Sequence, residues 1–103
     1  MKELCVVILN YRRAELTIGC LESLEDDMRQ NPDWCAVVVE NGSDDGSGDV
    51  IAKAIKDRHW TWARVEYSKM NGGFAAGNNI GVAAQSAEYY TLLNSDARAT
   101  PGA

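Results

Sequence analysis

Amides and carboxylates follow three apolar runs in this chain: Asn10-Tyr11 after Leu4–Leu9, Glu40-Asn41 after Cys35–Val39, and Asn94-Ser95-Asp96 after Tyr89–Leu93. Short continuous apolar runs are the pattern of strands covered on both faces. In an open parallel sheet the carboxyl ends of all strands share one edge, and ligands bind in the crevice beyond it. Glu40 offers oxygens that accept hydrogen bonds from a base or a sugar. The turn behind it, Gly42-Ser43-Asp44-Asp45-Gly46-Ser47, is rich in residues that let a backbone approach a ligand closely. Taken alone, that segment reads better as a solvated acidic turn, and the other two strand ends have to shift the balance toward a ligand crevice.

The intervening segments supply the helices that such a sheet needs. Leu16, Cys20, Leu21, Leu24 and Met28 recur at helical spacing between about Ala14 and Arg29, and Asn31-Pro32-Asp33 ends that helix. Ser47 or Asp49 is the expected cap of a second helix through Arg58, with Val50, Ile51, Ala54 and Ile55 inward. Ala63–Tyr67 reads as a third strand, Asn71-Gly72-Gly73 as a tight turn and Phe74–Ser86 as a third helix. The β-α-β-α-β-α-β alternation predicts an α/β domain with a parallel sheet and right-handed crossovers.

At 103 residues the chain is one domain, with 46% apolar and 24% charged residues, an ordinary globular balance. A formal charge of −5 and no Lys/Arg run argue against nucleic acid or an anionic membrane surface as partner. No apolar run approaches the roughly 20 residues of a membrane span, and Leu4–Leu9 is too short for a signal-peptide core. Cys5, Cys20 and Cys35 lack metal-ligand spacing and read as buried thiols, which places the chain in the cytoplasm. His59, Arg12 and Arg13 read as surface residues, and Trp34, Trp60 and Trp62 as packing or surface aromatics with no stacking ladder.

No GxxxxGK[ST] P-loop is present, and no GxGxxG follows the first strand. Four segments instead stand in one order: Val7-Ile8-Leu9-Asn10-Tyr11; Val38 to Ser43 followed by Asp45-Gly46-Ser47; Asn71-Gly72-Gly73-Phe74-Ala75-Ala76-Gly77-Asn78-Asn79-Ile80-Gly81; and Leu92-Leu93-Asn94-Ser95-Asp96. Together they resemble family 2 glycosyltransferases over roughly Leu4 to Pro101, most of all the rhamnosyltransferase-like branch. The resemblance implies the nucleotide-binding half of a GT-A fold, a Rossmann-like three-layer α/β/α sandwich with a mainly parallel sheet. It implies that Asn10 and Tyr11 border the base, that Glu40 contacts base or ribose, and that Asn41 and Ser43 shape the same loop. Glu40 stands where many relatives carry Asp. Gly73 and Asn78 would pass beside the nucleotide-sugar. Asp96 matches the last acidic residue of the DxD motif, which binds Mg²⁺ or Mn²⁺ on the donor diphosphate. Here the first position of that motif is Asn94, a neutral ligand, so metal affinity should depend on the diphosphate itself.

The implied activity is transfer of a sugar from a UDP- or dTDP-sugar to a glycan or lipid-linked acceptor hydroxyl, inverting and metal-assisted. The family pattern continues beyond this length into an acceptor-binding half that carries the base. Residues 1–103 are therefore expected to be a truncated donor-binding domain, inactive alone, whose full-length enzyme works in the cytoplasm or at the inner face of the membrane. The alternative is a non-enzymatic nucleotide-binding or oligomerisation module, a homo-oligomer formed through an exposed sheet edge.

Overall fold

A computed structural model describes residues 2–10, 12–41, 46–68 and 85–94. Four strands and two helices alternate within them: β1 (Lys2–Asn10), α1 (Ala14–Gln30), β2 (Trp34–Asn41), α2 (Ser47–Asp57), β3 (Ala63–Ser68) and β4 (Ala87–Asn94). All neighbouring strands are parallel, in the order β3-β2-β1-β4. The order reverses between β1 and β4, so the fold is Rossmann-like, with its switch point beside β1. The helix expected over Phe74–Ser86 and the Asn71-Gly72-Gly73 turn lie outside the described residues, apart from Gln85 and Ser86, which are not helical.

The alternation of the strands divides the core into two parts. Val6 and Ile8 of β1 with Ala36 and Val38 of β2 face the two helices and meet Cys20, Leu21, Leu24 and Met28 of α1 and Ile51 of α2. Cys5, Val7, Cys35, Val37 and Val39 are buried on the opposite face. Burying each large aliphatic side chain of this kind contributes about 1.5–3 kcal/mol. All three thiols are free and buried, and Cys5 stands beside Cys35 in the strand register. Burial first, and then the neighbouring Cys35, push the Cys5 thiol up to about 12. It therefore stays protonated at neutral pH and is a small core residue rather than a nucleophile.

Helix phase and capping depart from the expectations in ways that matter for the site. Leu16 and Val50 are 41% and 52% exposed, while Thr17 is fully buried. Thr17, Cys20, Leu21, Leu24 and Met28 form the inward stripe of α1, and Leu16 falls just off it in the first turn. Neither Ser47 nor Asp49 caps α2; the N-cap is Gly46 at φ +80°, with no side-chain cap bond. The second strand extends the apolar run through Glu40 and Asn41, where the sequence places its end, and these two residues pair with Tyr67 and Ser68.

At its far end, α2 closes in a Schellman motif. The backbone N–H of His59 donates to the carbonyl of Lys56, and that of Trp60 to the carbonyl of Ile55. His59 occupies the left-handed position, at φ +57°, that glycine usually fills. His59→Gly is expected to stabilise the chain by about 0.5–1 kcal/mol, read as a higher urea midpoint at unchanged slope.

Candidate nucleotide site at the carboxyl edge of the sheet

Because the strands are parallel, Asn10, Asn41, Ser68 and Asn94 end them on one edge. Asn10, Glu40 and Tyr67 occupy one register row across β1, β2 and β3. Asn10 and Glu40 are two residues beyond Ile8 and Val38, so they face the helices as those residues do. The first turns of α1 and α2 close over this row.

Three buried side chains are tied together there. The Thr17 hydroxyl donates to Asn10 Oδ1 at 2.7 Å, and Asn10 Nδ2 donates to Glu40 Oε1 at 3.3 Å. Thr17 and Asn10 are completely buried, and Glu40 is 4% exposed. Thr17 thus fixes which end of the Asn10 amide faces Glu40. On its other side Glu40 packs against Gly48. A Cβ at Gly48 would lie 2.5 Å from Glu40 Cγ and 2.7 Å from Tyr67 Cε1. The carboxylate therefore sits at the N-terminal end of α2, where the helix dipole favours negative charge.

Tyr67 forms the open flank of the row. Its ring is 56% exposed, and its hydroxyl donates to Asp49 Oδ1 at 2.9 Å. Partial burial of the ring, and then that bond to Asp49, hold the phenol above its ordinary range, so it remains a neutral donor. Between the first turns of α1 and α2 lies a shallow depression of about 360 Å³, bordered by Arg12, Arg13, Leu16, Ser47 and Val50.

The structure thus joins Asn10 to Glu40 directly and brings the Asn41 backbone to the same edge. Tyr11, Ser43, Gly73, Asn78 and Asp96 lie outside the described residues. Thr17, Gly48 and Tyr67 are members of the site that the sequence reading did not single out. For Thr17 a signal existed: it is a polar residue on the buried stripe of α1, and buried polar groups require partners. For Gly48 and Tyr67 there was none, since their closeness to Glu40 depends on the packing of α2 against β2 and β3. Among the described residues no group of three His, Cys, Asp or Glu side chains could hold a metal ion. No helix among them is long and apolar enough to cross a membrane.

A parallel sheet in this order, with polar groups gathered at its carboxyl edge, defines an α/β domain of the Rossmann-like class. The sequence pattern described as glycosyl transferase family 2 matches residues 5–103, and the chain belongs to that family. It is 29% identical over 96 residues to a teichoic acid poly(glycerol phosphate) polymerase of Staphylococcus epidermidis, covering 93% of this chain and 13% of that protein. It is 31% identical over 92 residues to the glycosyltransferase GlyG of Streptococcus pneumoniae, covering 88% of this chain and 29% of that protein. The chain therefore spans less than a third of the length of these relatives.

Solved structures agree on the fold. The mannosyltransferase PcManGT from Pyrobaculum calidifontis, in complex with GDP-Man and Mn²⁺, superposes with a TM-score of 0.84 at 18% identity, over 93% of this chain and 28% of that one. TarS 1-349 of S. aureus superposes at 0.79 and 21% identity, over 95% of this chain and 28% of that one. These neighbours are GT-A glycosyltransferases.

Proposed function

We propose that this chain is the donor-binding part of a glycosyltransferase that moves a sugar from a nucleoside diphosphate sugar to an acceptor hydroxyl. The observation that carries the reading is the buried Thr17–Asn10–Glu40 chain at the carboxyl edge of a family 2 sheet. A carboxylate pinned on one oxygen and packed on the other side has one orientation, as a group that recognises a ribose or base must. Glu40 contacts the nucleoside, Asn10 and Thr17 hold Glu40, and the exposed Tyr67 ring flanks the base. Tyr11, Asn41, Ser43, Gly73 and Asn78 complete the donor crevice.

The resemblance to the DxD motif assigns Asp96, two positions after the last residue of β4 in the sequence, as a hard oxygen ligand for Mg²⁺ or Mn²⁺ on the donor diphosphate. When bound, such a cation would neutralise charge on the departing diphosphate. Transfer proceeds with inversion once an acceptor-binding segment outside residues 1–103 supplies the base, and the acceptor is a glycan or a lipid-linked sugar. The rhamnosyltransferase-like motifs favour a dTDP-sugar, with UDP as the nearest competitor.

Isothermal titration of the 103-residue chain with UDP, dTDP and GDP, with and without Mn²⁺, tests this reading. Glu40→Ala is expected to weaken the preferred nucleotide by about tenfold or more, the value of a hydrogen bond to a charged group. Asp96→Ala should remove the Mn²⁺-dependent part alone. Nucleotide binding untouched by both substitutions would sink the assignment. Light scattering on the same samples separates the alternative, an oligomer that ignores nucleotides.

A further inference from the structure

All three tryptophans of the chain meet at the opposite edge of the sheet. The first residue of β2 is Trp34, Trp60 and Trp62 precede β3, and the last turn of α1 lies beside them. The Trp60 and Trp62 rings are tilted by 34° with centroids 5.5 Å apart. Trp60 is a core residue, 2% exposed, with the Arg58 guanidinium over its ring at 5.0 Å. Trp34 and Trp62 are only half-buried, and they face an open depression of about 310 Å³. That volume is at the lower end of the range for small-molecule sites, about 300–1,000 Å³. Trp34 and Trp62 are thus both packing and surface aromatics, set against the core on one side and open to the depression on the other.

Polar groups in the depression are held in place. Glu25 Oε2 accepts from Arg29 Nη2 at 2.9 Å and from the indole N–H of Trp60 at 2.9 Å. The Trp34 indole N–H donates to Glu3 Oε1 at 2.9 Å, which fixes that ring. A carboxylate beside a guanidinium presents an acceptor and donors a few ångströms apart, matching two adjacent hydroxyls. Indole faces are electron-rich and apolar, and they suit the C–H face of a sugar ring.

We propose that this depression binds a pyranose ring of a saccharide, its C–H face against Trp34 or Trp62 and adjacent hydroxyls on the Glu25–Arg29 pair. The site lies at the amino edge of the sheet, away from the donor crevice, so it holds a saccharide without competing for the nucleotide. It rests on the proposed function only in that saccharides are the molecules such an enzyme works among.

The three indole N–H resonances in a proton–nitrogen correlation spectrum report the site, one per tryptophan. The 103-residue chain is titrated with the methyl glycosides of glucose, mannose and N-acetylglucosamine, and with maltose. At least one of these is expected to give saturable, millimolar shifts of the Trp34 and Trp62 signals, which UDP leaves unmoved. Glu25→Gln, which retains an acceptor for Trp60, and Trp62→Ala should each weaken that binding by about tenfold. The absence of saturable shifts with every sugar would overturn the proposal, as would shifts that survive both substitutions. The donor reading fails on separate evidence, the indifference of nucleotide binding to Glu40→Ala and Asp96→Ala.

Discussion

Gly48→Ala is expected to destabilise the chain by about 1–3 kcal/mol, although alanine is the better helix former by about 1 kcal/mol. The sign is decided by space. The added methyl would sit 2.5 Å from Glu40 Cγ, midway along a buried side chain, and 2.7 Å from Tyr67 Cε1. Tyr67 is exposed and can swing aside, but Glu40 is 4% exposed and tied to Asn10. Relief therefore requires either moving α2 off the sheet or pushing the carboxylate from its place. Urea denaturation measures the loss, and Tyr67→Ala in the same background should restore only part of it. Nucleotide affinity should fall with stability, because the displaced group is the proposed nucleoside contact. A Gly48→Ala chain as stable as the parent would show that Glu40 is not held where it is described.

Asn10→Leu is the second change with a large expected cost, about 3 kcal/mol. Leucine fills a similar space, so the core stays packed, and what disappears is the hydrogen-bonding centre of the site. The Thr17 hydroxyl loses its acceptor and Glu40 loses the amide that fixes one of its oxygens, both in buried surroundings. Thr17→Val removes only the outer link and should cost less, about 1–2 kcal/mol. In the double variant the two effects should fall short of their sum, because Asn10→Leu already deletes the bond that Thr17 makes. Strict additivity in chemical denaturation would mean that the three residues do not act as a chain. For nucleotide binding, Thr17→Val should weaken affinity while leaving the preferred base unchanged, as befits a residue that acts through Asn10.

Much of the architecture was legible because it rests on local pattern. Apolar runs such as Leu4–Leu9 and Cys35–Val39 can only be covered strands, and their alternation with helical segments makes a parallel sheet. The strands extend the apolar runs by a residue or two, and at β2 this matters. Glu40 looked like the point where a strand gives way to a turn, yet it pairs on both sides within the sheet. A charged residue ends a strand only where it must reach solvent. Here Asn10, Thr17 and the first turn of α2 provide for it inside, and periodicity carries no trace of that provision. The phase errors at Leu16 and Val50 have a related cause. Apolar residues in a first helical turn fit an inward stripe by spacing alone, but the tilt of the helix on the sheet selects which ones are covered.

By itself the sequence determined the fold class, the common edge of the polar strand ends and the family, since each follows from residue order and spacing. Only the tertiary structure decided that Glu40 is buried and bonded to Asn10, that Thr17 and Gly48 constrain it, and that three tryptophans meet at the far edge. The bonds that hold Glu40 join residues 7 to 30 positions apart in the chain. Contacts at such separations come from the register of parallel strands and the docking of helices, which no local pattern encodes.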